Sequence, residues 1–71
     1  MTGTVKLWRE RTSWGFIQGE NGIEYFAHAK GLVKKNHERI DLVAGERVEF
    51  QDVPSETPGR GPCAIDIRRL P

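Results

Sequence analysis

Apolar and polar residues alternate over five short stretches of the chain, and this two-residue period is typical of β-strands with one buried face. The stretches are residues 2–8, 13–18, 24–28, 46–51 and 63–68. Five short strands in 71 residues predict an all-β protein, a five-stranded antiparallel barrel, because closure removes exposed strand edges. A chain of this length has room for one small hydrophobic core, so we expect one domain over residues 1–71.

The second and third stretches each divide into a small or aliphatic set and a set of larger rings. The positions that suit a packed interior are Gly15, Ile17, Tyr25 and Ala27. Alternation then turns the opposite set outward, namely Trp14, Phe16, Glu24, Phe26 and His28. Large rings left in water need a physical reason, and a stacking surface for flat molecules is one.

The Asn21-Gly22 pair lies between these two stretches and predicts a tight hairpin. Asn-Gly favours a type I′ turn, in which both central residues have positive φ. Such a turn pairs the two strands antiparallel and brings the four outward rings together on one face.

Alternation also assigns faces in the other three stretches. In the first, Val5 and Leu7 share one face, and Lys6 and Trp8 share the other. The inward pairs of the last two are expected to be Val48 with Phe50, and Ile65 with Ile67. Two interpretations of Trp8 are open, because its indole either seals the barrel floor or extends the outward ring surface.

Residues 29–44 fit neither period, and we expect a long loop with one helical turn near residues 30–33. The loop carries a local basic cluster of Lys30, Lys34, Lys35 and Arg39. Residues 54–62 are rich in proline and glycine and predict a second loop.

The charge balance bounds the class of partner. The chain has 11 basic and 10 acidic side chains, a formal net charge of +1. A protein that binds mainly by neutralising phosphates is usually more basic, so any nucleic-acid binding here must depend on stacking or on local charge. Residues 1–3 precede mixed charge rather than an apolar run, and we expect a cytoplasmic protein with no signal peptide and no membrane span.

Catalytic and metal-binding patterns are absent from the sequence. Cys63 is alone, which excludes an internal disulfide and a cysteine-based metal site. His28 and His37 lie nine residues apart across a loop, a spacing with little specificity for a metal. No nucleophile motif or phosphate-cradling loop occurs, so we expect a protein that is not an enzyme and has no cofactor and no metal.

Five segments, in order, resemble the cold-shock domain family. Residues 2–6 are similar to its first strand, and residues 12–17, Thr-Ser-Trp-Gly-Phe-Ile, to its first motif, usually Lys-Gly-Phe-Gly-Phe-Ile. Residues 24–29, Glu-Tyr-Phe-Ala-His-Ala, resemble the second motif, usually Asp-Val-Phe-Val-His-Phe. Gly45 and residues 59–62, Gly-Arg-Gly-Pro, complete the likeness. The resemblance implies a barrel of the oligonucleotide/oligosaccharide-binding type.

The sequence departs from the family pattern at positions that carry rings or charge. Residues 6–8 read Lys-Leu-Trp where the family usually has Lys-Trp-Phe, so the tryptophan is displaced by one position. Thr12 replaces the lysine that opens the first motif, and Ala29 replaces the phenylalanine that closes the second. His37 aligns with a loop position that often carries phenylalanine. We expect these differences to affect affinity and sequence preference rather than fold.

The resemblance implies binding of single-stranded RNA or DNA, with RNA-chaperone, transcriptional or translational roles. The outward rings independently suit base stacking. The candidate nucleic-acid-binding residues are Lys6, Trp8, Trp14, Phe16, Phe26, His28, His37 and Arg60.

A second hypothesis is a barrel of the same fold that binds a protein instead of nucleic acid. It is motivated by Leu7, Thr12 and Ala29, which stand where the family presents a ring or a charge. Exposed rings would then form a hot spot for a partner. The sequence leaves open whether the protein is a monomer or a strand-swapped dimer.

Overall fold

The structure is a computed structural model, and it describes residues 1–33, 41–53 and 61–70. Its strands are β1 (Thr2–Arg9), β2 (Trp14–Gly19), β3 (Glu24–His28), β4 (Arg47–Val53) and β5 (Cys63–Arg69). They form a closed barrel in the order β1-β2-β3-β5-β4. The all-β barrel is therefore confirmed. Strands β3 and β5 pair in parallel, while the other neighbouring strands pair antiparallel.

The core fills the barrel and receives side chains from every strand. Its buried members are Val5, Ile17, Tyr25, Ala27, Leu42, Val48, Phe50, Ala64 and Ile67. The Tyr25 and Phe50 ring centroids are 5.0 Å apart. The predictions that Val48 and Phe50 point inward are confirmed, and so are those for Ile17, Tyr25 and Ala27. Leu42, from the segment with no clear period, closes the core from a loop.

The β2–β3 hairpin turns at the expected place with a different geometry. Gly22 has φ +83°, but Asn21 is not among the residues with positive φ, so the type I′ prediction is wrong. The Gly22 N–H donates to Gly19 O, and the Gly19 N–H to Ile23 O, at 2.9 and 2.8 Å. Residues 20–22 therefore form a three-residue hairpin loop. In this loop Glu20 and Asn21 have negative φ, and only Gly22 needs positive φ.

Two β-bulges alter the expected alternation in β1 and β5. In β1 the register shifts between Val5, opposite Ile17, and Leu7, opposite Phe16. Leu7 is 40% exposed, so the prediction that it shares the inward face of Val5 is wrong. One extra residue in a strand reverses the face of every later side chain.

The bulge in β5 has the same effect on Ile65. Glu49 faces Arg68 while Gln51 faces Ile65, so β5 carries an extra residue, and Asp66 lies there with φ 50°. Ile67 is fully buried, but Ile65 is 39% exposed, and its expected burial is wrong. Asp tolerates the left-handed region better than most residues, which explains its presence at this position.

A short 3-10 turn, Ala29–Gly31, follows β3 and overlaps residues 30–33, near which one helical turn was expected. Beyond it, Leu32 forms an isolated bridge with Ile67, and the Val33 N–H donates to Ile67 O at 2.8 Å. The segment after β3 is thereby attached to β5. None of the helical segments in the described part of the chain is long and apolar enough to cross a membrane.

Gly15 lies at a close approach between the backbones of β1 and β2. A Cβ atom built on it would overlap the Leu7 carbonyl oxygen and would lie 2.9 Å from Trp8 Cα. Because backbone atoms cannot move aside as a flexible side chain can, this contact excludes any larger residue at Gly15.

We expect Gly15→Ala to lower the free energy of unfolding by about 1–3 kcal/mol or more, because overpacking forces the two backbones apart. Gly61→Ala is the matched control, since nothing lies within 4 Å of a Cβ there, and it should change stability by less than about 0.5 kcal/mol. Urea denaturation of both variants measures the difference, and equal stabilities would contradict the close approach.

Candidate functional site

Three aromatic side chains on β2 and β3 contact one another on the outside of the barrel. Trp14 lies with its ring centroid 5.6 Å from Phe16 and 5.6 Å from Phe26, and the last two are 6.0 Å apart. Trp14 stacks on Phe26 with an interplanar angle of 28°, while Phe16 meets both edge-on. All three are half-buried, so part of each ring faces solvent. We call these three residues the ring cluster.

The register of β2 with β3 places the cluster. Phe16 lies directly opposite Phe26, and Trp14 lies opposite His28. Directly opposed residues of antiparallel strands share a face, so the pairing turns all four side chains to the same side. The structure thus brings together the four outward rings that alternation indicated.

His28 has a second role, because it caps the 3-10 turn. Its Nδ1 accepts a hydrogen bond from the Lys30 N–H at 3.1 Å. In the neutral imidazole the proton is then on Nε2, which becomes the ring's donor. His28 is half-buried, lies opposite Trp14 and lines a groove together with Phe26, so its imidazole is next to the ring cluster.

Leu7 is a member of this surface that alternation assigned to the core. It lies opposite Phe16, which in turn lies opposite Phe26, so the three form a row across β1, β2 and β3. The bulge at Lys6 causes this placement, and no local sequence signal identifies it. Leu7 supplies apolar surface in this row but no ring to stack.

Trp8 lies on the other side of β1. It is opposite the buried Gly15 and packs against the core. Its indole Nε1–H donates to Asp41 Oδ1 at 2.9 Å, and the Asp41 carbonyl accepts from Arg69 Nη2 at 2.8 Å. Of the two interpretations of Trp8, this placement favours the sealing of the core. A nucleic-acid contact by Trp8 stays a prediction.

Lys6 is held by an ion pair with Glu24. Its Nζ lies 3.1 Å from Glu24 Oε2, and the two side chains are 50% and 48% exposed. The pair links β1 to β3 beside the ring cluster. A phosphate that approaches Lys6 therefore competes with Glu24, so the expected phosphate contact of Lys6 stays a prediction.

Arg9 was missed by the sequence analysis. Its guanidinium carbon lies 5.7 Å from the centroid of the Trp14 ring, within the range of a cation–π interaction. Arg9 lies directly opposite Trp14, at the end of β1. Arg9 therefore contacts the ring cluster. The sequence could have indicated this contact only if the register of β1 with β2 were known.

A groove of about 290 Å³ continues the surface from β3 toward β5. Its lining consists of Phe26, His28, Lys30, Gly31, Cys63, Ala64 and Ile65. Phe26 belongs both to this lining and to the ring cluster, so the two surfaces are continuous. Cys63, Lys30 and Ile65 are thereby part of the candidate site, although alternation had placed Ile65 inside. The parallel pairing of β3 with β5, which the sequence did not reveal, makes this groove.

Two predicted site residues, His37 and Arg60, lie outside the described residues, as do Lys34, Lys35 and Arg39 of the basic cluster. Within the described ranges, no group of three or more histidine, cysteine, aspartate or glutamate side chains is placed to hold a metal ion. The described part of the site is apolar and aromatic, with Lys6 and Arg9 on β1, Lys30 at the groove and the imidazole of His28.

Comparison with known proteins gives a consistent result over the whole chain. The family model of the 'Cold-shock' DNA-binding domain matches residues 1–70. The major cold shock protein of Streptococcus pyogenes is 37% identical over 68 residues, 96% of this chain and 94% of that protein. A cold shock-like protein of Listeria monocytogenes is 33% identical over 69 residues, 97% of each chain. The cold shock-like protein CspA of Vibrio cholerae is 35% identical over 71 residues, 99% of this chain and 94% of that one.

The contrast between the two tryptophans is testable by the same substitution at both positions. We expect Trp8→Phe to lower the free energy of unfolding by about 1–3 kcal/mol, because it removes the donor to the Asp41 carboxylate. Trp14→Phe keeps a ring in the cluster and should cost less than about 1 kcal/mol. Chemical denaturation of both variants measures this. A larger loss for Trp14→Phe would contradict the placement of Trp8.

Proposed function

The chain belongs to the cold-shock domain family of non-enzymatic nucleic-acid-binding proteins, and we propose that it binds single-stranded RNA or DNA by stacking unpaired bases on the ring cluster. The observation that supports this proposal is the mutual contact of three half-exposed rings at centroid distances of 5.6–6.0 Å. Rings arranged in this way are held in place before a ligand arrives, so little conformational entropy is lost on binding.

Stacking supplies most of the affinity in this proposal. Each base stacked on an aromatic side chain contributes about 1–3 kcal/mol, largely without regard to base identity. The groove beside Phe26 offers a further apolar surface for a base or sugar that leaves the cluster. His28 Nε2–H is the donor next to it, suited to a base edge or a phosphate oxygen.

The electrostatic part of binding is smaller. The chain carries a net charge of +1, and Lys6 is already paired with Glu24. Because the pair is half-exposed, exchanging Glu24 for a phosphate gains little.

Binding that depends on stacking of bases distinguishes unpaired from paired strands, since bases in a duplex have no free faces.

We assign the protein an RNA-chaperone or gene-regulatory role on this basis. A protein that binds only the unpaired form of a strand shifts the pairing equilibrium toward that form by mass action. No ATP and no chemical step are needed. The strength of the effect depends on the concentration of free protein relative to its dissociation constant.

The first test removes rings from the cluster. Trp14→Ala and Phe26→Ala should each weaken the binding of a pyrimidine-rich hexamer by roughly 5- to 150-fold, from the loss of about 1–3 kcal/mol per stack. Fluorescence anisotropy of a labelled oligonucleotide measures the affinity without relying on tryptophan emission.

Val43→Ala is the control, because Val43 is 49% exposed and lies outside both the ring cluster and the groove. It should bind like the parent, and circular dichroism should show that all three variants are folded. If the parent fails to bind at high micromolar concentration, the alternative of a protein-binding barrel gains support. If the parent binds and both ring variants match it, the ring cluster is not the binding surface.

The second test is the salt dependence of affinity. A single strand that releases counterions from two or three phosphates gives a slope between about −1.5 and −2 in a plot of log K against log salt concentration. We expect this shallow slope because stacking is insensitive to salt. A slope near about −5 would mean that some seven phosphates are neutralised and that charge dominates.

A further inference from the structure

A row of three side chains crosses the barrel where β1 ends and β2 begins. Arg9 lies opposite Trp14, and Trp14 lies opposite His28. The row therefore consists of a guanidinium, an indole and an imidazole on neighbouring strands. It lies at one end of the ring cluster, next to the turn that joins β1 to β2.

The two cationic side chains of β1 near the ring cluster, Lys6 and Arg9, differ in whether an acidic side chain pairs with them. Lys6 is neutralised by Glu24 at 3.1 Å. Arg9 is exposed, and its guanidinium lies over the Trp14 ring, 5.7 Å from the centroid, with no acidic partner among the described residues. A cation–π contact leaves the charge of the guanidinium uncompensated and its five N–H donors available.

We propose that Arg9 binds a backbone phosphate of the strand, on the nucleotide whose base stacks at Trp14. This inference rests on the proposed function and adds a residue to it. Before binding, the Trp14 ring holds the guanidinium over its own face, close to the edge at which the phosphate of a stacked nucleotide arrives. On binding, the guanidinium exchanges this weak exposed contact for a charge-assisted, two-pronged hydrogen bond to phosphate oxygens.

The geometry favours a phosphate over a base edge as the ligand of Arg9. A base that stacks on Trp14 has its sugar and phosphate at its periphery. The Arg9 guanidinium, which lies over the ring in the free protein, moves aside for the base, and from its position opposite Trp14 on β1 its side chain reaches that periphery. The planar fork of arginine matches phosphate oxygens, whereas a lysine would act as a point charge. Arg9, rather than Lys6, then supplies a large part of the salt dependence of binding.

The test compares Arg9→Gln with Arg11→Gln. Arg11 is exposed in the turn that follows β1, two residues from Arg9, so each substitution removes one positive charge from the same region. Among the described residues, only Arg9 makes the cation–π contact with Trp14. Affinity for a labelled pyrimidine hexamer is measured from about 0.05 to 0.5 M salt. One lost phosphate contact on a single strand should make the log–log slope of Arg9→Gln shallower by about 0.7.

This change in slope corresponds to a loss of about fivefold in affinity at 0.1 M salt, if the fits converge at 1 M. Arg11→Gln should change the slope by much less, and Arg9→Lys should retain the parent's slope while losing part of the affinity. Equal changes for Arg9→Gln and Arg11→Gln would overturn the proposal, because net charge alone would explain them.

Two further outcomes separate this inference from the proposed function. If the parent binds and Arg9→Gln binds equally well or more tightly, Arg9 merely occupies the Trp14 ring, and only this inference fails. If the parent binds no single strand, both fail together. Thermal denaturation of each variant should show the parent's stability, since Arg9 is exposed.

Discussion

The in-register pairing of β2 with β3 is the constraint on which the candidate site depends. Five consecutive pairs, from Trp14 with His28 to Gln18 with Glu24, show no register shift. Since alternate residues face opposite ways, one uninterrupted register turns the ring cluster and His28 outward and places their neighbours, including Tyr25, in the core. Gly15 permits β1 to lie close against β2 at the same level, because any Cβ there would meet the Leu7 backbone. The hairpin register and the packing of the core therefore both determine where the ring cluster lies. A shift of one residue in the register would turn its rings into the core.

The sequence predicted the parts of the fold in which this alternation is unbroken. In β2, β3 and β4 the inward residues were identified correctly, because a period of two holds through β2 and β3 and over residues 47–51 of β4. In β1 and β5 a bulge interrupts the period of two, so the sequence assigned Leu7 and Ile65 to the wrong face. A bulge depends on how strands must bend to close a barrel, and that requirement is not local. Asp66 is a weak signal at best, because aspartate tolerates positive φ but also occurs throughout ordinary surfaces.

The chemistry of the site was predictable by residue type but not by partner. The sequence identified Lys6 as the cation of the first strand, yet the structure gives it Glu24, eighteen residues away. It passed over Arg9, whose contact with Trp14 follows from a cross-strand pairing that the β1 bulge has shifted. Which charges remain available to a ligand is decided by pairing within the fold, and a net charge of +1 does not reveal it. Local geometry, more than composition, sets the electrostatics of such a small domain.

The two bulges also explain how the chain retains a continuous apolar surface while Trp8 lies against the core. The β1 bulge turns Leu7 outward beside Phe16 and directs Trp8 inward, where Asp41 accepts its N–H. The β5 bulge leaves Ile65 outward in the groove on the opposite side of Phe26. Aliphatic side chains therefore flank the rings on both sides. In the proposed binding mode, leucine and isoleucine would bury apolar area against a sugar or base without oriented stacking, so they would add affinity without fixing a base plane. Such a surface would order bases at its centre and tolerate varied conformations of the strand at its edges.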